Sequence, residues 1–107
     1  MKIAISSASE NLNGNIAETF GRCPYFIIVD IENGKIGKTE IIKNESAEQS
    51  SGAGMATAKL VAEKGVTTVI TKSVGPRALD VLKQFNIEII EAEGKINKAL
   101  EKFIKNN

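Results

Sequence analysis

The 107-residue chain has no histidine and no tryptophan, and only one cysteine. Without histidine there is no Ser-His-Asp triad, no Cys-His dyad and no imidazole-ligated zinc. One cysteine excludes an intramolecular disulfide, a Cys-x-x-Cys redox pair and a four-thiolate zinc site. A chain that binds metal alone would have one thiolate, carboxylates and backbone to offer. Charge of one sign is also lacking: 14 basic residues face 13 acidic ones, for a net +1. That balance gives no general attraction to nucleic acid or anionic lipid. No apolar run approaches the roughly 20 residues that span a bilayer, and Met1-Lys2-Ile3-Ala4-Ile5-Ser6 is too short an apolar run for a signal peptide. The lone cysteine suits a reducing compartment. The expectation is a cytoplasmic protein with neither nucleic-acid nor membrane partners.

The remaining composition is that of an ordinary globular domain, 42% apolar and 25% charged. The length suits one domain over residues 1–107 with a single core. Residues 2–6 form a short strand, and residues 7–14 a loop rich in Ser, Asn and Gly. Residues 16–20 fit either a turn of helix or an extended approach to Gly21. Residues 25–31 are dense in aromatic and β-branched types and carry the strongest strand signal. Asn33-Gly34 is the preferred pair for a tight hairpin turn, which returns the chain as a strand over 36–43. Residues 44–51 are polar, hold no core candidate and form a long loop. Ser50 or Ser51 can cap a helix over 52–64. In that helix Met55, Ala58, Val61 and Ala62 form the apolar face, and Gly65 ends it.

A buried strand over 66–71 follows, then a loop, with Pro76 suited to a first helical turn. Residues 77–85 form a helix with Ala78, Leu79, Val81, Leu82 and Phe85 inward, stopped by Asn86. Residues 87–90 form a strand. Residues 95–105 form an amphipathic helix with Ile96, Ala99, Leu100, Phe103 and Ile104 on one face and lysines on the other. The order β, ββ hairpin, α, β, α, β, α predicts a mixed sheet with helices packed on it and right-handed parallel crossovers in the second half.

The rarest residues cluster. Two arginines, two prolines and the cysteine all fall in Gly21-Arg22-Cys23-Pro24 and Gly75-Pro76-Arg77. Both segments are predicted loops at strand ends, where α/β folds place ligand sites. Arginine offers a rigid fork to anions where lysine offers a point charge, so Arg22 and Arg77 are candidate anion contacts. Cys23 is a soft-metal ligand, a nucleophile or a buried filler, and the nucleophile is the weak reading. A Cys-x5-Arg phosphatase loop would need arginine at Val29, and a cysteine protease would need histidine. Placed beside Arg22 at the start of an exposed loop, the thiolate favours metal or sulfide chemistry. Ser51-Gly52-Ala53-Gly54 opens a helix, whose N–H groups and dipole suit an anion. As a dinucleotide fingerprint the segment is poor, because Thr57 stands where a third glycine belongs and no strand precedes it. Gly75-Pro76-Arg77 opens a second helix, so two helix starts are expected to face one anion. Asp30 and Asp80 are the only aspartates, too few for a two-metal nuclease.

These segments, in this order, resemble the dinitrogenase iron-molybdenum cofactor biosynthesis family. The match runs through Lys2-Ile3-Ala4-Ile5, Phe20-Gly21-Arg22-Cys23-Pro24-Tyr25-Phe26-Ile27-Ile28-Val29-Asp30 and Gly52-Ala53-Gly54. It continues through Gly65-Val66-Thr67-Thr68-Val69-Ile70, Gly75-Pro76-Arg77-Ala78 and Leu82-Lys83-Gln84-Phe85-Asn86-Ile87. The resemblance implies a ribonuclease H-like α/β fold, with a mixed five-stranded sheet and no nuclease activity. It implies non-enzymatic binding, carriage or storage of an anionic metal–sulfur cluster: iron-molybdenum cofactor, an iron–sulfur precursor or a related metal sulfide. By position it assigns cofactor binding to Arg22, Cys23, Gly52, Gly54, Gly75 and Arg77, with Cys23 as the metal ligand. Many members have His before Phe-Gly-Arg, where this chain has Thr19, and others have His in the glycine loop, so imidazole ligation is impossible here. Cofactor-assembly proteins are the expected partners of a monomer or weak homo-oligomer. The alternative is a regulatory or assembly module acting through protein–protein contacts. A small enzyme using the same anion pocket would lack a general base of suitable pKa.

Overall fold

The computed structural model describes residues 1–49 and 51–106. Five strands form one mixed sheet in the order β3-β2-β1-β4-β5. They are β1 (Lys2–Ser7), β2 (Tyr25–Glu32), β3 (Lys35–Lys43), β4 (Thr68–Thr71) and β5 (Glu88–Glu91). Only β2 runs against the rest: it pairs antiparallel with β1 and β3, whereas β1–β4 and β4–β5 are parallel. Helices α1 (Ala53–Glu63), α2 (Pro76–Gln84) and α3 (Ile96–Lys105) pack on the sheet. This is the expected α/β architecture, with a ribonuclease H-like topology.

Side-chain alternation along the strands divides the core in two. On β1, Ala4 joins Phe20, Phe26, Val61, Val69 and Leu82 beneath α1 and α2. Its neighbours Ile3 and Ile5 point the other way and join Ile27, Val29, Ile70, Leu100 and Phe103 beneath α3. A strand buried on both faces reads as a continuous apolar run, which is why residues 25–31 gave so strong a signal. The β2–β3 turn is the tight one that Asn33-Gly34 favours, with φ of 53° and 74° at its two central residues.

Of the two alternatives for residues 16–20, the chain takes the extended approach to Gly21, with no helix and an isolated bridge from Ile16 to Ser7. Several other local expectations are corrected. Val66 and Thr67 precede β4 rather than belonging to it. Phe85 is 52% exposed at the end of α2 instead of inward. Leu82 and Val81 already fill the core side of that helix, and its amphipathic stripe ends before Phe85. Residues 44–51 are not a featureless loop: Asn44 is buried, and Glu45–Glu48 form a short 3-10 helix capped by the Asn44 side chain. Helix α1 begins one residue late, because Gly52 is its N-cap in the left-handed region and no side chain caps it. The cap expected from Ser51 is not made, and Ser50 lies outside the described residues. Among the described residues, no helix is long and apolar enough to cross a membrane.

Helix α3 is seated on the sheet by its buried residues Ile96, Leu100 and Phe103. Leu100→Ala removes a side chain that is 2% exposed and is expected to lower unfolding free energy by about 2–5 kcal/mol. Urea titration followed by far-UV circular dichroism measures the loss.

Candidate functional site

Three loops meet outside the carboxyl ends of β1 and β4. From β1 the chain leaves toward β2, and from β4 it leaves toward β5 on the opposite side. Such a divergence opens a crevice at the sheet edge, where α/β folds bind ligands. The loop after β1 is tied down by backbone hydrogen bonds: Ala17 N–H donates to Ser6 O (3.0 Å) and Phe20 N–H to Ser73 O (2.9 Å). Ser73 Oγ–H donates to Glu18 O at 2.9 Å. Phe20 is fully buried and meets Phe26 edge-on at 5.3 Å between centroids. Gly21 and Arg22 are thereby delivered over the first turn of α1.

The approach there is as close as backbones allow. A Cβ on Gly21 would lie 2.9 Å from Gly54 Cα, and one on Gly54 would lie 3.2 Å from Ala78 Cβ. Gly21, Gly54 and Ala78 thus stack the first loop, α1 and α2 against one another. The stack is pinned by Asn44, whose Nδ2 donates to Cys23 O (2.9 Å) and Gly21 O (3.4 Å). Its Oδ1 accepts from Ser46 N–H and from Thr57 Oγ–H. The Thr57 hydroxyl also lies 3.3 Å from Gly21 O. Asn44 and Thr57 were missed in the sequence, one as a loop residue and the other as a failed glycine. A polar residue whose side chain satisfies buried carbonyls has no periodic signature in the sequence.

The result is a groove of about 500 Å³, lined by Thr19, Gly21 and Arg22, by residues 52–55, and by residues 75–78. That volume is in the range of small-ligand sites. Of the expected site residues, Arg22, Gly52, Gly54, Gly75 and Arg77 all line it; Cys23 does not. Arg22 and Arg77 are its only charged lining residues among those described, and no carboxylate faces it. Glu18, next to Thr19, is engaged by Lys72 at 3.0 Å, and Lys72 also reaches Glu93 at 3.4 Å. The Glu18 carboxylate, with help from Glu93, raises the Lys72 pKa. Arg22 donates from Nη1 to Ala47 O at 2.8 Å and to Gln49 O, and also lines the groove. Both α1 and α2 start here without a side-chain cap. Their first-turn N–H groups have no helical acceptor, and the two dipoles add positive potential.

Cys23 departs from expectation. It does not start an exposed loop but is 1% exposed, packed in the core with Phe20 and Phe26. Its Sγ–H donates to Phe20 O at 3.2 Å, and Asn44 Nδ2 sits 3.8 Å from the sulfur. Burial pushes the thiol pKa from 9.0 up to about 12, against a smaller lowering by Asn44. A protonated, enclosed thiol is a poor metal ligand. Among the described residues, no three His, Cys, Asp or Glu side chains are grouped to hold a metal ion. The groove thus carries two arginines and two helix starts, and no grouped metal-ligating side chains among the described residues.

A protein-family model described as dinitrogenase iron-molybdenum cofactor matches residues 1–106. The chain belongs to this family. An uncharacterised protein of Methanocaldococcus jannaschii is 37% identical over 94 residues, covering 87% of this chain and 80% of the relative. Among solved structures, the apo form of the orange protein from Desulfovibrio gigas superposes with a TM-score of 0.90 at 29% identity. It covers 98% of this chain and 88% of that one. A Thermotoga protein of the DUF35 family superposes with a TM-score of 0.82 at 28% identity, over 97% of this chain and 87% of that one. Membership connects the chain to metal-cluster or protein-binding roles. The Phe-Gly-Arg segment that carried the resemblance is the one that Phe20 anchors and Gly21 packs.

Two glycines of the groove should behave oppositely. Gly21→Ala forces α1 and the first loop apart and is expected to cost about 1–3 kcal/mol. Gly75 has φ of −70° and nothing within 4 Å of a built Cβ. Gly75→Ala is therefore expected to change stability by no more than about 0.5 kcal/mol; denaturant titration of both variants checks the contrast. The buried thiol gives a pH signature. Its folded pKa lies above the unfolded value, so the unfolded chain loses this proton first and stability falls as pH rises from 9 to about 12. Cys23→Ala is expected to flatten that fall relative to its own value at pH 8, measured by denaturation across the same range.

Proposed function

We propose that the protein binds an anionic metal–sulfur cluster in this groove, as a non-enzymatic carrier or store. The observation that carries the reading is the placement of both of the chain's arginines beside two uncapped helix starts in one groove free of carboxylates. Metal sulfides are anionic and rich in acceptor sulfur. Arginine forks and backbone N–H groups can hold such a surface by charge-assisted hydrogen bonds, with no covalent ligand. Family membership supports cargo of this class: iron-molybdenum cofactor, its iron–sulfur precursor or another iron/molybdenum–sulfur cluster. The absence of histidine supports a binding role over turnover, since an acid–base catalyst near neutral pH is missing. Cys23 is left out of the proposed ligand set, because a cluster atom would first have to displace the Phe20 packing that encloses the sulfur. A cytoplasmic carrier fits the balanced charge and unpaired thiol.

A second reading, docking to cofactor-assembly proteins, rests on β3. This nine-residue edge strand leaves Ile36 46% and Ile41 44% exposed, a ladder edge able to accept another strand. The two readings are compatible, as a carrier must meet a donor and an acceptor.

Anaerobic reconstitution with iron and sulfide, followed by metal analysis, tests the groove. Wild type and Cys23→Ala are expected to load equally, whereas Arg77→Gln and Arg22→Ala load several-fold less. Arg77→Gln is the cleaner variant, because Arg22 also holds the carbonyls of Ala47 and Gln49. Equal, substoichiometric metal in all four proteins would reject the site.

A further inference from the structure

Met55 stands at the first turn of α1, where the sequence pattern assigns it to the apolar core face. It is instead 37% exposed and lines the groove between the two arginine-bearing segments. With Cys23 enclosed, Met55 is the one sulfur-bearing residue in the lining of the described groove. The rest of the wall is unusual for a site that binds anions. Beyond the two arginines, the one polar side chain is Thr19; Ala53, Pro76 and Ala78 are apolar, and the remaining lining residues are glycines. An oxyanion such as a phosphate or molybdate is strongly hydrated and needs several donors to replace its water. Here the side chains of Ala53, Met55, Pro76 and Ala78 add apolar and polarizable contact beside the backbone N–H groups of the two helix starts. A sulfide-surfaced anion of the same charge is larger, softer and more weakly hydrated, and it gains dispersion against a thioether where an oxyanion gains little.

We infer that Met55 is a specificity-determining residue that makes the groove select thioanions over oxyanions of equal charge and shape. The arginines and helix starts supply attraction common to both classes, and Met55 with its apolar neighbours supplies the difference between them. This inference rests on the anion-groove reading above, and the two can fail separately.

Tetrathiomolybdate and molybdate are tetrahedral dianions of matched charge and serve as the probes. Anaerobic equilibrium dialysis with molybdenum analysis gives the affinity of each for the full chain at one pH and ionic strength. Wild type is expected to prefer tetrathiomolybdate at least tenfold. Met55→Gln, a similar-sized exposed substitution checked for an unchanged urea midpoint, is expected to shrink that ratio threefold or more without weakening molybdate. Arg77→Gln is expected to weaken both dianions together. Equal wild-type affinities, or a ratio untouched by Met55→Gln while Arg77→Gln still weakens binding, overturn the role of Met55 and leave the groove standing. No binding of either dianion, or binding indifferent to Arg77→Gln, overturns the groove reading and this inference with it.

Discussion

The contact on which the site depends is the passage of Gly21 over Gly54, with Ala78 against the far side of Gly54. Backbone separations this short are possible only where side chains are absent or minimal. Three chain segments far apart in sequence are thereby brought to one place. Arg22 follows directly from the first segment, the start of α1 from the second, and Arg77 from the third. Loosening the stack by one methyl would move each of these groups relative to the others. Asn44 and Thr57 fasten it by meeting the carbonyls that so close an approach leaves buried. An unmet buried carbonyl would cost about 1–3 kcal/mol, so the polar clasp and the small-residue stack form one device.

The groove so made is positive without being coordinating. Electrostatic attraction from forks and dipoles is strong at short range but has no preferred metal geometry, and it reverses without breaking a covalent bond. Under the proposed function, these properties would let the groove hold a preassembled anionic cluster and pass it on. Glu18, the nearest acid in sequence to Thr19, does not line the groove and is paired with Lys72. As an exposed pair it adds little to stability. The buried thiol contributes on the other side of the wall, as part of the packing beneath Phe20.

Much of the architecture was legible in the residues. The run from Tyr25 to Ile31 announced the strongest strand, Asn33-Gly34 its hairpin, and the alternation after Gly65 the parallel half of the sheet. The clustering of Arg22 and Arg77 in glycine- and proline-bearing loops pointed to the groove. What escaped was of two kinds. Helix periodicity assigned Met55 and Phe85 inward, yet both lie near helix ends, where the stripe no longer faces the sheet. Residue type alone placed Cys23 in an exposed loop and Asn44 in an empty one, although both are buried. Cys23 packs in one cluster with Phe26, Ala58 and Val61, and Asn44 is held by Gly21, Cys23 and Thr57, long-range arrangements that no local window contains.

By itself the sequence determined the order of elements, a mixed sheet with helices packed on it and which rare residues were available for chemistry. Those follow from side-chain period, turn preference and simple inventory, all of which are local. Only the tertiary structure decided which of those residues share a surface. The close packing of Gly21, Gly54 and Ala78 brought the two arginines to one groove, and the same packing turned the single cysteine into the core and a methionine out of it. Facing direction depends on which backbones can touch, and that is settled between segments rather than within them.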